Sequence, residues 1–262
     1  MRTVILLASM IAGLGMVAGK ATESSDIPAR GSDAPVLVEL FTSEGCSSCP
    51  PADRLLQELD RSQPVAGAQV IVLSEHVDYW NHLGWKDPYS SSFFSERQNA
   101  YAGRFELGGP YTPQMVVDGN AEFVGSDSRQ ASQAIEKARV SEKVPVRISA
   151  ISWENAGALR AHVEAGPLSN SPRSAEIFVV IALNHAESQV SRGENDGRHL
   201  THVAVVQSIT KVGSLDKRKN FSQDIQLKPN PGADPANLRV IAFVQGPRQG
   251  KVLGAALRIV GK

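Results

Sequence analysis

The sequence predicts an α/β domain followed by an all-β, sandwich-like domain. Two short apolar runs, residues 36–41 and 69–74, flank a segment with helical spacing, and this order indicates a βαβ unit with a right-handed crossover. From residue 144 onward the helical pattern gives way to about seven β-like runs separated by Gly, Pro and Asn clusters, which is typical of an antiparallel sandwich. The expected domains are residues 35–142 and 143–262.

The N-terminus has the layout of a secretory signal peptide. Arg2 precedes an apolar stretch over residues 4–17, and small residues near its end offer a cleavage site. The stretch is short for a helix that spans a bilayer, and an uncleaved anchor is the alternative. We therefore expect a signal peptide over residues 1–21 and a polar, flexible leader over 22–34. The mature protein would be periplasmic or secreted and would have no membrane span.

Composition limits the partners and the chemistry. Lys and Arg together number 27, as do Asp and Glu, so the net charge is zero, which gives no support for a nucleic-acid partner or a polybasic membrane patch. The chain has two cysteines, too few for a disulfide scaffold in a chain of this size. The sequence contains neither a phosphate-binding glycine loop nor a hydrolase motif, and we expect no cofactor.

The two cysteines form the motif Cys46-Ser47-Ser48-Cys49, which lies between the first apolar run and a predicted helix over residues 51–59. The unpaired N–H groups and positive dipole end of a helix N-terminus stabilise a thiolate, which is the reactive form of cysteine. The motif therefore indicates thiol–disulfide chemistry. Cys46, on the solvent side of the turn, would attack, and Cys49 would resolve the mixed disulfide. The alternative is a structural disulfide.

An insertion over residues 75–110 follows the second predicted strand and is rich in aromatic and imidazole side chains. The crevice of an open α/β sheet forms at the carboxyl ends of its parallel strands, so we expect this insertion to form a lid or recognition surface over Cys46. An extra packing layer is the alternative. The predicted substrate-binding side chains are His76, Tyr79, Trp80, Trp85 and Tyr111.

Three further local patterns lie before the β-rich half. Residues 91–105 have helical spacing, and Asp118-Gly119 between two short apolar runs predicts a β-hairpin. A last helix is expected over residues 129–139, with Asp127 or Ser128 as its N-cap.

Glu39 is an acidic residue within the first apolar run. It could act as the general base for Cys49, or it could be a sheet-end carboxylate that faces water. The cysteines together with His76 or His82 could also make a soft copper or zinc site. Tetrahedral zinc would need a second close pair of ligands, which the sequence does not offer, and we predict no metal.

Thr112-Pro113 comes just before the first strand of the predicted hairpin. In thioredoxin-like folds a cis-proline occupies this position and faces the cysteine pair. With that geometry the backbone of Thr112 would pair with an extended substrate peptide beside Cys46. A trans bond is the alternative. We include Thr112 and Pro113 among the predicted catalytic residues.

The stretch VELFTSEGCSSCPPAD, residues 38–53, resembles the signature of a family of secreted bacterial thioredoxin-like proteins, domain-of-unknown-function family 1223. A weaker similarity extends through Gly193-Glu194-Asn195 and the segment from His202. The resemblance implies a thioredoxin-like fold and a redox-capable cysteine pair, and it implies no established reaction. Three later blocks are also similar to that family: residues 74–81, 84–88 and 111–119.

We therefore predict thiol–disulfide exchange on exported proteins, whose thiols or disulfides would be the partners. A non-catalytic thioredoxin-like binding module and a copper chaperone are the alternative functions.

Overall fold

The structure is a computed structural model and describes residues 33–154, 157–169 and 172–260. The predicted signal peptide and the predicted leader up to residue 32 lie outside the described residues. Within the described ranges, no helix combines the length and the apolar character that crossing a membrane requires.

The predicted βαβ unit is present. Two prolines occupy the first helical positions, where the missing N–H would be unpaired in any case. The helix ends at Gln63, whose φ of 45° is left-handed. Leu56 and Leu59 of the helix are buried against the two parallel strands. The three elements in chain order are β1 (Ala34–Thr42), α1 (Pro50–Ser62) and β2 (Ala68–His76).

The predicted arrangement of a thioredoxin-like α/β domain followed by a separate all-β domain is wrong, because strands from both halves of the chain belong to one mixed sheet. The further strands of this sheet are β3 (Gln114–Val117), β4 (Ala121–Val124), β7 (Ser174–Gln189), β8 (His199–Asp216), β10 (Leu238–Gln245) and β11 (Val252–Ile259). Together with β1 and β2 they form an eight-stranded sheet in the order β11–β10–β7–β8–β2–β1–β3–β4.

The two halves join where β8 runs beside β2, with Ser74 opposite Val205. The physical reason lies in burial on both faces of the strands. All eight residues of β10 are buried, as expected for a strand covered on both sides. The second half therefore extends the sheet of the first half, and it does not close a sandwich of its own.

A smaller antiparallel sheet covers one end of the large one. Its inner side chains, such as Leu159 and Val163, share a core with Val179 and Val240 of the large sheet. Its order is β5–β6–β9, formed by β5 (Val146–Trp153), β6 (Leu159–Ala165) and β9 (Phe221–Leu227).

Helices cover both faces of the large sheet around strand β1. On one side, α1 and α3 (Ser128–Arg139) pack with Val38 and Leu40 of β1. On the other side, α2 (Ser92–Arg104) packs with Phe41. Because successive side chains of a strand point to opposite faces, residues 39 and 42 of β1 must serve different layers.

The predicted hairpin and helix cap are confirmed. β3 and β4 are joined through Asp118 and Gly119, whose φ values of 49° and 58° suit the tight hairpin turn that this pair favours. Asp127 accepts hydrogen bonds from the amides of Arg129 and Gln130 at the start of α3.

Gly254 of β11 marks a close approach to the segment that leads into β5, since a Cβ there would lie 2.1 Å from the carbonyl oxygen of Val144. Gly254→Ala should therefore lower the free energy of unfolding by about 1–3 kcal/mol. Gly103→Ala in α2 is the matched control. Its Cβ would meet no atom within 4 Å, so it should leave stability unchanged or raise it by about 0.5–1 kcal/mol. Urea titrations of both variants measure the difference, and equal midpoints would contradict the clash.

Candidate functional site

The Cys46–Cys49 disulfide lies at the junction of β1 and α1. Cys49 is the N-cap residue of α1, and the two sulfurs are bonded across a separation of three residues. The amide of Cys49 donates to the carbonyl of Cys46 at 3.2 Å, and the amides of Ala52 and Asp53 donate to the carbonyl of Cys49. The disulfide therefore closes the tight turn that leads into the first turn of the helix.

Both cysteines are buried, each with 0% of its surface exposed. This corrects the expectation that Cys46 lies on the solvent side of the turn. Ser47 and Ser48, between the two cysteines, are exposed, and the hydroxyl of Ser48 lies 3.3 Å from the sulfur of Cys46. The turn therefore presents its serines to solvent and holds its sulfurs beneath them.

Residues 193–195, in the connection between β7 and β8, lie directly over the cysteine turn. Asn195 is fully buried, and its Nδ2 donates to the carbonyl oxygens of Glu44 at 2.8 Å and Cys46 at 2.9 Å. Glu194 accepts from the amide of Ser47 at 3.1 Å. We call these three residues the cover.

Two tryptophans of the insertion stand beside the same turn. Trp80 Nε1 donates to Thr112 Oγ1 at 2.8 Å, and a Cβ at Gly45 would lie 3.0 Å from the Cβ of Trp80. Trp85 Nε1 donates to Glu44 Oε2 at 2.8 Å. Both side chains are half-buried. They pack against the turn and also keep some exposed surface, and their role in recognition stays a prediction.

The Thr112–Pro113 peptide bond is cis. The contacts of Gly125 show that this peptide bond lies near the start of α1. The amide of Gly125 donates to the Pro113 carbonyl, and a Cβ there would lie 3.2 Å from the Cβ atoms of both Pro113 and Ala52. The structure therefore brings Thr112 and Pro113 close to the first turn of α1.

A buried network of charged side chains lies behind the cysteine turn. His202 of β8 sits between two carboxylates, with its Nε2 3.2 Å from Glu44 Oε1 and its Nδ1 3.8 Å from Asp53 Oδ1. Thr42 Oγ1 donates to the same Asp53 oxygen at 2.9 Å. Asp53 follows Cys49 by four residues on α1, so the two share one face of the helix.

The pKa of His202 reflects these neighbours. Burial alone would lower the pKa of the imidazole, but the two carboxylates outweigh it and raise the pKa to about 10. A buried imidazolium therefore faces Glu44 and Asp53 at neutral pH. A second pair lies alongside it, since the rings of His76 and His202 are 4.7 Å apart and His76 Nδ1 is 2.7 Å from Asp87 Oδ2.

Glu39 lies on the other face of the sheet, toward α2. Its carboxylate accepts hydrogen bonds from Arg97 Nε at 2.8 Å and from the hydroxyl of Tyr101 at 2.6 Å, and it is fully buried. It is therefore neither a base for Cys49 nor a water-facing carboxylate. Glu75 joins this cluster 3.5 Å from Arg97, and burial together with the neighbouring Glu39 charge raises its pKa.

The two remaining predicted tyrosines make polar contacts with α2 and β4. The hydroxyl of Tyr79 donates to Gln98 on α2, and that of Tyr111 donates to Glu122 on β4. In the described part of the chain, no group of three or more His, Cys, Asp or Glu side chains is arranged to hold a metal ion. His82 is exposed and contacts the carbonyl of Tyr79 at 2.7 Å.

Sequence reasoning did not select the charged network or the cover as parts of the site. Asp53 carried a usable signal, because a carboxylate four residues after Cys49 on a helix must share its face. His202 and Asn195 carried a weaker one, since the similarity noted above extended to their segments. Nothing local in the sequence connects either residue to the cysteines.

Comparisons with known proteins identify the family and relate the fold to solved structures. A model of the family described as "Protein of unknown function (DUF1223)" matches residues 37–245. A crystal structure of a protein from Agrobacterium tumefaciens is similar with a TM-score of 0.67 and 26% identity, covering 88% of this chain and 96% of that one. HBP35 of Porphyromonas gingivalis has a TM-score of 0.63 and 16% identity, covering 89% and 77%, and at this identity the likeness shows the fold alone. No curated protein matches the sequence.

The imidazolium of His202 should make stability depend on pH. A folded pKa near 10, raised from 6.5, gives a contribution that is fully present below pH 6.5 and lost as the pH rises toward 10. His202→Gln should therefore cost about 3 kcal/mol at pH 6, as expected for breaking a buried ion pair, and progressively less toward pH 10. Denaturant titrations at several pH values measure this gap.

The control for this prediction is His162→Gln. His162 lies 2.7 Å from Asp224 on the exposed surface of the small sheet, and loss of such a pair should cost less than about 1 kcal/mol. A His202 variant that keeps the full pH dependence of the original chain would contradict the assigned charge.

Proposed function

The chain belongs to the DUF1223 family of proteins of unknown function, and we propose that it carries out thiol–disulfide exchange on exported proteins through Cys46 and Cys49. The observation that carries this proposal is the disulfide between these residues at the N-terminus of α1. A bridge that closes so short a loop restricts the unfolded chain little, well below the roughly 3 kcal/mol of a 15-residue loop. Reactivity is therefore a better account of the pair than stability.

The surroundings of the pair support a reactive thiolate once the disulfide opens. The N–H groups and dipole of the α1 N-terminus favour negative charge, and the Ser48 hydroxyl lies within reach of the Cys46 sulfur. The negative charge of Glu44, two residues before Cys46, is offset by the His202 imidazolium and the indole N–H of Trp85.

The exchange starts from the disulfide form. A thiolate of a substrate dithiol attacks the Cys46 sulfur, the Cys46–Cys49 bond breaks, and Cys49 leaves as a thiolate that takes a proton from water. The second substrate thiolate then attacks the mixed disulfide and releases Cys46. The substrate dithiol is oxidised to a disulfide, and the two electrons reduce the cysteine pair. In reverse, Cys46 attacks a substrate disulfide and Cys49 resolves the complex.

The substrate would lie beside Trp80, Trp85 and Thr112. These side chains contact or flank the cysteine turn, and the Thr112 backbone would pair with an extended peptide there. We place the reaction in the periplasm or outside the cell. Disulfides persist in those compartments, and the N-terminal sequence has the layout of a signal peptide.

Single cysteine variants should behave differently in a trapping experiment. Cys49→Ser leaves Cys46 able to attack a substrate disulfide without a partner to release it, so covalent complexes with exported proteins should accumulate. Cys46→Ser removes the attacking sulfur and should accumulate none. Cells that express each variant are quenched with acid, alkylated, and compared on non-reducing gels, and reducible complexes are identified by mass spectrometry.

The double variant Cys46→Ser/Cys49→Ser is the control for non-specific capture. Equal capture by the two single variants would contradict the assigned roles. Absence of capture, together with a reduction potential below about −300 mV, would identify the bridge as an inert structural disulfide.

A further inference from the structure

We propose that residues 193–195 form a removable cover over the Cys46–Cys49 disulfide and that opening of this cover controls access to the Cys46 sulfur. The proposal rests on the proposed function, because it explains how a fully buried disulfide could meet a substrate. It assigns a regulatory role to Glu194 and Asn195.

The cover is attached to the cysteine turn by a small number of polar contacts. The side-chain amide of Asn195 donates to the carbonyls of Glu44 and Cys46. The carboxylate of Glu194 accepts from the amide of Ser47. These contacts engage the backbone of the turn on both sides of Cys46. While they are in place, the Cys46 sulfur has no exposed surface, and a thiolate cannot reach it, since exchange requires access to the sulfur under attack.

The cover can lift without disturbing the strands that carry it. Below the cover, the connection is closed by its own hydrogen bonds, from the amide of Val190 to the carbonyl of Arg198 and from the amide of Gly197 to the carbonyl of Val190, both 2.9 Å. Gly193 within the cover and Gly197 two residues beyond it have φ values of 77° and 78°, and glycine passes between backbone conformations more freely than other residues.

The closed state also carries a local cost. Asn195 Oδ1 is buried, and among the described residues no donor reaches it. A buried polar atom without a partner is unfavourable, and exposure to water removes that penalty. Opening therefore exchanges two hydrogen bonds of Asn195 for full solvation of its amide, so the closed and open states are closer in free energy than the contacts alone suggest.

The aromatic insertion lies against the cover at Gly193. A Cβ at Gly193 would lie 3.2 Å from the carbonyl oxygen of Leu83 and 3.3 Å from the Cβ of Trp85. A substrate that binds beside Trp85 would therefore meet the cover at Gly193. Binding at the insertion and opening of the cover would then be coupled through this contact.

The test measures how fast dithiothreitol reduces the disulfide in the folded full-length chain. A thiolate of the reagent attacks Cys46, Cys49 leaves, and the second reagent thiolate releases Cys46 as the reagent closes to its cyclic disulfide. Asn195→Ala and Glu194→Ala should each raise this rate, by about fivefold or more for Asn195→Ala, because each loses contacts that hold the cover closed. Timed alkylation and intact-mass measurement follow the reaction.

Two matched variants serve as controls in the same connection. Asp196→Ala removes an exposed carboxylate next to Asn195 and should leave the rate within about twofold of the original. Glu194→Gln keeps an acceptor oxygen for the Ser47 amide and should restore most of the slow reduction lost in Glu194→Ala. Because the Glu194 side chain is exposed, its variants test the cover even if Asn195→Ala does not fold.

Reduction rates equal to that of the original chain in both Ala variants would overturn the proposal that residues 193–195 form a cover. So would an acceleration matched by an equal rise in the global unfolding rate, measured by denaturant jump. The reagent needs no protein substrate, so this outcome is independent of the trapping experiment. If the Ala variants accelerate reduction but Cys49→Ser captures no exported protein, the proposed function is wrong and the cover stands.

Discussion

Strand β8 is the element on which the rest of the molecule depends, because it pairs with β2 on one side and with β7 on the other. Without that double pairing, the βαβ unit and the C-terminal strands would have no common sheet. The position of β8 is held from α1 as well, where Gln57 Nε2 donates to the Thr201 carbonyl at 2.6 Å. The same strand delivers His202 to the network behind Cys46, and the connection that precedes it supplies the cover.

The large sheet separates two buried charge clusters. On the α2 side, Glu39, Glu75 and Arg97 form one cluster, and on the α1 side His202 lies between Glu44 and Asp53. Buried charges are tolerated only when they are paired and hydrogen-bonded, and the strands keep the two sets from exchanging partners. Only the cluster on the α1 side adjoins the disulfide, so it is the one that can influence a thiolate there.

Local chemistry explains which features could be predicted from the sequence. The cysteine turn before α1, the Asp127 cap and the turn at Asp118-Gly119 each depend on residues a few positions apart, and their spacing encodes them. The pairing of β8 with β2 does not depend on local spacing, because an apolar run favours a strand but does not determine which strand it pairs with. The βαβ unit was therefore predicted correctly, and its separation from the second half was not.

The site shows the same limit. Cys46 was expected to face solvent because the segment around it is a turn, and turns normally lie at the surface. The folded turn is contacted by residues distant in the chain, such as Asn195, which lies 149 residues away and donates to the Cys46 carbonyl, so no pattern around Cys46 could reveal its burial. Glu39 was misassigned for a related reason. Strand alternation predicts that it faces away from its neighbours Val38 and Leu40, but only the placement of α1 and α2 decides which of those faces adjoins the cysteines.

The separation between Cys46 and Asn195 also has a consequence for synthesis. A ribosome that has just completed α1 must add more than a hundred further residues before Asn195 exists. Throughout that interval the nascent chain lacks the contacts of Asn195 with the carbonyls of Glu44 and Cys46. The cysteine turn can therefore gain these contacts only after the connection between β7 and β8 has been synthesised.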